Sequence, residues 1–281
     1  MAVKNFGKGN SAAVNYSVKV LPDNSVIFAT RCEAGDEGAV EMVYGAKSKN
    51  AGQKYYVRGG NSITGNLSFV GTRDGYEGNG KELLLGFRGE GNEPMEFVQI
   101  PAIGDKHRLN DYTNRLLAGL KNASLGEPLT VAVFNFTHKA GEEMKNKDGE
   151  VVGTYEKDGS NLVMSVYQDH LVTDDNPNGK VSVSREDMLV QERLMMQGRS
   201  LVPVPEGQRV DRSLVVYEEG VADKYLVDTV AAIKGSIPKH AHAERVASAS
   251  VGNTEPSFVD HDDSDLVFGE EGEAPAGNRM R

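Results

Sequence analysis

The chain has 281 residues and a mass of 30.4 kDa; 38% of the residues are hydrophobic, 26% are charged, and Cys32 is the single cysteine. This length allows one large domain with a tail or two small domains, and no apolar run approaches the roughly 18 residues that span a bilayer. A lone cysteine excludes an internal disulfide, and the start MAVKNFGKGN lacks a hydrophobic signal core. We therefore expect a cytoplasmic protein without a membrane segment.

The first part of the chain predicts a series of strands after a flexible N-terminus, residues 1–15. Alternating apolar and polar residues, separated by turn residues, are typical of short antiparallel strands. These strands lie near residues 16–20, 26–30, 39–44, 54–58, 63–70, 83–88 and 95–100. A helix should follow over residues 105–121, with Asp105 as its cap and Leu109, Tyr112, Leu116 and Leu120 at helical spacing.

The second part mixes strands and helices. Residues 129–136, LTVAVFNF, are apolar on both faces and predict a central buried strand. Ser184 and the acids behind it predict a Met-rich helix that runs to about Gln197, and apolar spacing over 221–233 predicts a last helix. The core, residues 16–245, should therefore be α+β and β-dominated: an antiparallel sheet or an OB-like barrel, with helices inserted after the sixth or seventh strand.

The stretch from residue 42 to residue 73 contains no Asp or Glu, although the chain carries 41 acids. Cations and tyrosines alternate along it, and single-stranded nucleic acid is bound by cations that track phosphates and by rings that stack on bases. If residues 54–58 form a strand, Lys54, Tyr56 and Arg58 share one face, and Tyr55 and Val57 share the other. The residues expected to bind single-stranded DNA are Tyr44, Lys47, Lys49, Lys54, Tyr56, Arg58, Arg73, Tyr76 and Arg88. The alternative is a basic, Gly- and Asn-rich surface hairpin with no ligand.

Catalytic and metal-binding patterns are weak. Asp174-x-Asn176-x-Asn178-Gly179 matches the first half of a calcium loop, but Arg185 occupies the twelfth position, where that loop requires Glu. We therefore expect a tight turn there. No other group of residues suggests a metal site, a cofactor or a catalytic pair, so we expect a protein that is not an enzyme.

The C-terminal segment, residues 246–281, predicts a disordered acidic tail. Eight acids against two bases give it −6 of the total charge of −10, and its apolar residues are too sparse to form a core. Within it, DDSDLVF at residues 262–268 embeds Leu266 and Phe268 in an acidic run. Acids steer such a peptide to a basic partner, and apolar side chains fill a pocket there.

This segment resembles the acidic, Phe-ending tip of bacterial and bacteriophage single-stranded-DNA-binding proteins. The layout, a β-rich basic and aromatic core followed by an acidic tail, is similar as well. The resemblance implies that the tip recruits replication partners and competes with DNA for the basic groove, through Asp262, Asp263, Asp265, Leu266 and Phe268. Unlike the family's terminal Phe, Phe268 is followed by 13 residues. Phage single-stranded-DNA-binding cofactors of RNA polymerase are similar in kind.

We therefore expect sequence-tolerant binding of single-stranded DNA in phage replication, recombination or transcription. Its partners would be single-stranded DNA and the replication or transcription proteins that the tail recruits, in the host cytoplasm. The chain could also form a homo-oligomer. The alternative is a structural or adaptor protein, such as a virion component or a partner-binding module, that does not bind nucleic acid. A weaker third option is a DNA-acting enzyme whose acids converge only in three dimensions.

Overall fold

A computed structural model describes residues 13–46, 48–75, 80–89, 94–104, 106–145, 151–155, 158–197, 200–205, 210 and 214–238. These residues form fourteen strands, two α-helices and a short 3-10 turn at Asp169–Leu171. In chain order the elements are β1 Val14–Val20, β2 Val26–Cys32, β3 Val40–Val43, β4 Lys54–Gly60, β5 Ser62–Asp74, β6 Lys81–Arg88, β7 Glu96–Ile103, α1 Asp111–Asn122, β8 Leu129–His138, β9 Glu143–Lys145, β10 Val151–Thr154, β11 Gly159–Tyr167, β12 Leu194–Gln197, β13 Ser200–Pro203, β14 Val215–Val216 and α2 Val221–Ser236.

Nine strands form one large sheet in the order β11-β8-β5-β6-β7-β1-β2-β4-β3. All neighbours in it are antiparallel except β1 and β7, which run parallel. The sheet curls, so that β2 approaches β8, and the Asn135 side-chain amide donates a hydrogen bond to the Asn24 carbonyl at 2.8 Å. The prediction of a β-dominated α+β fold is confirmed, with a mixed nine-stranded sheet in place of a purely antiparallel one.

The main core lies on one face of this sheet, where both helices pack. Strand β6 shows the period-two pattern that builds it, because Leu83, Leu85 and Phe87 all point into the core. Helix α1 contributes Leu116 and Leu120, which are four residues apart on its apolar side. Helix α1 follows β7, as expected from the sequence.

A smaller apolar cluster lies on the opposite face, where β2, β4 and β3 form the end of the sheet. Ala29, Tyr55 and Val57 are buried there, and Val40 and Met42 pack against them. This second cluster explains why the two faces of β4 differ: Tyr55 and Val57 are buried on one face, whereas on the other Lys54 is exposed and Tyr56 and Arg58 are half-buried. It fixes which side chains of β4 a ligand can reach.

Two of the three helix predictions needed correction or adjustment. Helix α1 begins at Asp111 with Asn110 as its N-cap, and Asp105 lies outside the described residues. The Met-rich helix after Ser184 is wrong: the segment is irregular up to β12, which pairs with β13 and β14. Its start signal is real, because the Ser184 amide donates to an Asp187 carboxylate oxygen at 2.7 Å, but no helix follows. Helix α2 ends before Pro238, as predicted.

Candidate nucleic-acid interface

The alternation predicted for residues 54–58 is confirmed by strand β4. Tyr55 and Val57 are buried in the smaller cluster, while Lys54, Tyr56 and Arg58 occupy the other face. Lys54 is the most open of the three, with 64% of its side chain exposed, whereas Tyr56 and Arg58 are half-buried, with 25% of the Arg58 side chain exposed. We call these three residues the β4 cation face.

Carboxylates from earlier in the chain contact every member of the β4 cation face. Antiparallel pairing sets Glu41 of β3 directly opposite Tyr56. The Lys54 ammonium lies 2.8 Å from the Glu41 carboxylate, and the Tyr56 hydroxyl donates to the same carboxylate at 3.0 Å. Hydrogen bonding to Glu41 raises the pKa of Lys54 and of Tyr56, and these two bonds lower the pKa of Glu41. Glu41 therefore holds both side chains in place.

Arg58 has an acidic partner too, and it reaches toward the main core. Its guanidinium lies 3.4 Å from the Asp36 carboxylate, in the connection between β2 and β3. Nearby, the Tyr16 hydroxyl donates to Glu96 at 3.1 Å. Burial and Glu96 raise the pKa of Tyr16, and the charge of Arg58 opposes that rise. Arg58 is thus the anchored end of the row, and Lys54 is the open end.

Tyr44 lies on the other face of the sheet, away from Tyr56. Its ring packs on Tyr55 with the centroids 4.5 Å apart. Arg31 lies 3.6 Å above the centre of the Tyr55 ring and donates a hydrogen bond to the Tyr44 hydroxyl at 2.6 Å. Both rings, Tyr44 and Tyr55, are therefore already in contact with the Arg31 guanidinium. The predicted base-stacking residues Tyr44 and Tyr56 therefore do not share a surface.

The remaining predicted residues are scattered or outside the described part of the chain. Arg73 on β5 pairs with Glu82 of β6 at 2.6 Å and donates to Gln99 at 3.2 Å. Arg88 ends β6 and is half-buried, and Lys49 is exposed in the connection before β4. The predicted residues for which the structure gives no position are Lys47, Tyr76, Asp262, Asp263, Asp265, Leu266 and Phe268.

Exposed aromatic side chains that the sequence did not single out lie on β8. The pattern LTVAVFNF predicted a central buried strand, but β8 is second from the edge, and Phe134 and Phe136 are 40% and 55% exposed. Beyond them, the ring of His138 stacks on Tyr155 with the centroids 3.9 Å apart. The polar Asn135 between the two phenylalanines was the signal that half of this strand is open.

The structure also bears on the calcium-like pattern at residues 174–179, on metal-ligand clusters and on membrane-spanning helices. The calcium-like pattern forms a turn in which the Asn176 side chain bonds the backbone of Leu171 and Lys180, so its amide is not free for a cation. Among the residues with described positions, no group of three or more His, Cys, Asp or Glu could hold a metal ion. Neither α1 nor α2 is long and apolar enough to cross a membrane.

Replacing Glu41 with Gln should strengthen binding of an anionic single strand. The change keeps the shape of the side chain, removes its charge and so weakens its hold on Lys54 and Tyr56. We expect the affinity for oligo-dT to rise about two- to fivefold at low salt, with a steeper salt dependence. Fluorescence anisotropy would measure this. Glu37→Gln is the matched control, because Glu37 is exposed in the connection that leads from β2 to β3. An equal effect of both substitutions would show that only net charge matters.

The chain matches no protein-family model, no curated protein and no solved structure. What the molecule binds is therefore argued from the chemistry of its own surfaces. The β4 cation face offers two cations around one ring on a partly exposed strand face, in a fold that buries the opposite face.

Proposed function

We propose that this protein binds single-stranded DNA with little sequence preference. The observation that carries the proposal is the β4 cation face, a cation–ring–cation row on one face of a strand, with Lys54 exposed and Tyr56 and Arg58 half-buried. Successive members of the row are two residues apart, or about 6.8 Å along the strand. A flat ring between two cations can accept any base while the cations contact the phosphates on either side.

The acidic partners of the row are compatible with this function. Lys54 and Glu41 are both open to water, with 64% and 42% of their side chains exposed. Exposed ion pairs contribute little to stability, and a phosphate can replace a carboxylate with little loss. In the free protein, Glu41 and Asp36 would keep the row ordered and lower its attraction for other anions. Lys49, exposed before β4, would extend the row.

Labelled oligo-dT, a duplex of equal length and an RNA, each titrated at two salt concentrations, would test the proposal. We expect tight dT binding that weakens with salt, and much weaker binding of the duplex. The comparison with RNA would show whether the 2′-hydroxyl matters. No binding of any of the three well above micromolar protein would favour the structural or adaptor alternative, which also predicts a defined homo-oligomer in solution.

We also propose that the acidic tail, residues 246–281, recruits replication or transcription proteins and weakens DNA binding. The tail carries −6 of the net charge of −10, so its removal leaves a chain with a net charge of −4. Deleting it should raise the affinity for oligo-dT several-fold at low salt and less at high salt, because the effect is electrostatic. Unchanged affinity at low salt would contradict competition by the tail and leave the recruiting role to be tested by pull-down.

A further inference from the structure

A groove of about 380 Å³ lies between the start of α1, the irregular segment 185–193 and Tyr217. Four arginines line it: Arg108, Arg115, Arg185 and Arg193. All four residues are exposed to solvent. None was singled out from the sequence, since they come from regions up to 85 positions apart and no short stretch shows the cluster. We call this feature the arginine groove.

The fold holds the walls of the arginine groove rigidly. The Asn114 amide of α1 donates to the Leu189 carbonyl at 2.8 Å and accepts from the Leu189 amide at 3.0 Å. Gln191 accepts from the Leu109 amide at 2.8 Å and donates to the His107 carbonyl at 3.0 Å. These four bonds fasten the segment that carries Arg185 and Arg193 beside the helix that carries Arg115.

The arginine groove is cationic after its internal acid is counted. Asp111 is the only acid among its described lining residues, and it pairs with Arg108 at 2.6 Å. The Arg108 guanidinium also lies 5.7 Å from the centre of the half-buried Tyr217 ring. Three guanidinium groups therefore remain to be matched by a ligand. By contrast, each cation of the β4 cation face already contacts a carboxylate.

The planar fork of a guanidinium group binds two oxygens of a phosphate at once, as it does with a carboxylate. Three such groups in one groove, with the Tyr217 ring also in its lining, suit a polymer that carries many phosphates and flat bases. We propose that the arginine groove binds the phosphodiester backbone of a single strand. This inference rests on the proposed function and adds to it a second contact surface.

The triple variant R115Q/R185Q/R193Q tests the groove in the full-length chain. Its matched control is K121Q/K180Q/K234Q, which removes the same charge from exposed lysines outside the groove. Two labelled probes are titrated by anisotropy across a salt series: oligo-dT and an abasic oligomer of the same length. We expect the groove variant to bind both probes at least tenfold more weakly at low salt, with a salt slope smaller by about 2, and the control to change far less.

The pattern of outcomes separates the groove from the proposed function. Wild-type affinity of the groove variant for both probes, while oligo-dT still binds, would overturn the groove and leave single-strand binding standing. No binding of either probe by the wild type would overturn single-strand binding itself. If the groove variant instead lost binding to a labelled peptide of residues 258–268 and kept its oligonucleotide affinity, the groove would belong to an acidic protein segment and the proposal would be wrong.

Discussion

Replacing Lys54, Tyr56 and Arg58 together with alanine should lower the affinity for oligo-dT by about 100-fold at low salt. The variant would lose the ring that we propose stacks on a base and the two cations that we propose contact phosphates. The salt dependence should become shallower by about 1.4 in slope, because roughly 0.7 counterions are released per phosphate neutralised on a single strand. Fluorescence anisotropy across a salt series measures both effects.

The triple variant should stay folded, because none of the three side chains belongs to either apolar cluster and the buried side of β4 is untouched. Tyr55 and Val57 keep their places in the smaller cluster. Circular dichroism and the thermal midpoint would verify this. The control K121A/K234A removes two exposed lysines elsewhere and should bind nearly as the wild type does. A folded triple variant with undiminished affinity would move the binding surface away from β4.

Features set by neighbouring residues were predictable from the sequence. The side-chain alternation of β4 depends only on strand geometry, so Tyr55 and Tyr56 could be assigned to opposite faces before their partners were known. Helix α2 was predictable for the same reason, since its apolar spacing and Pro238 are local signals. The β-dominated class followed from the number of short alternating runs.

Features set by distant partners were not predictable. Residues 42–73 contain no acid in the sequence, but acids lie beside them in the fold. Strand pairing brings Glu41 to Lys54 and Glu82 to Arg73. The segment after Ser184 has helical spacing, but the Asn114 side-chain amide of α1 takes both backbone hydrogen bonds of Leu189. Tertiary partners therefore outweighed local propensity at both places.

The arginine groove was not predictable either, because the fold brings together cations that lie far apart in the sequence. Arg115 comes from α1, whereas Arg185 and Arg193 come from a segment joined to it by side-chain hydrogen bonds. No composition window includes all three. Charge that is diluted along the chain is concentrated in space, so the overall charge of −10 does not describe this surface.

Asn114 is the main link between α1 and the segment 185–193. Asn114→Leu should therefore destabilise the protein by about 2–4 kcal/mol. The buried amide pairs with both backbone groups of Leu189, as a neighbouring strand would. Leucine has a similar volume but cannot form hydrogen bonds, so the amide and the carbonyl of Leu189 would both lose their partner on α1. For a chain of this size each kcal/mol lowers the thermal midpoint by about 2–4 °C.

Asn122→Leu is the matched control for this prediction. Asn122 lies on the same helix and donates to the Ser182 carbonyl at 3.0 Å, but that bond is exposed and water can replace it. We expect a cost below about 1 kcal/mol there. Limited trypsin digestion gives a second readout, because Arg185 and Arg193 flank Leu189 and should be cut faster when Asn114 no longer holds the segment. If both leucine variants melted alike and resisted trypsin alike, burial of the Asn114 amide would not be what fastens the arginine groove.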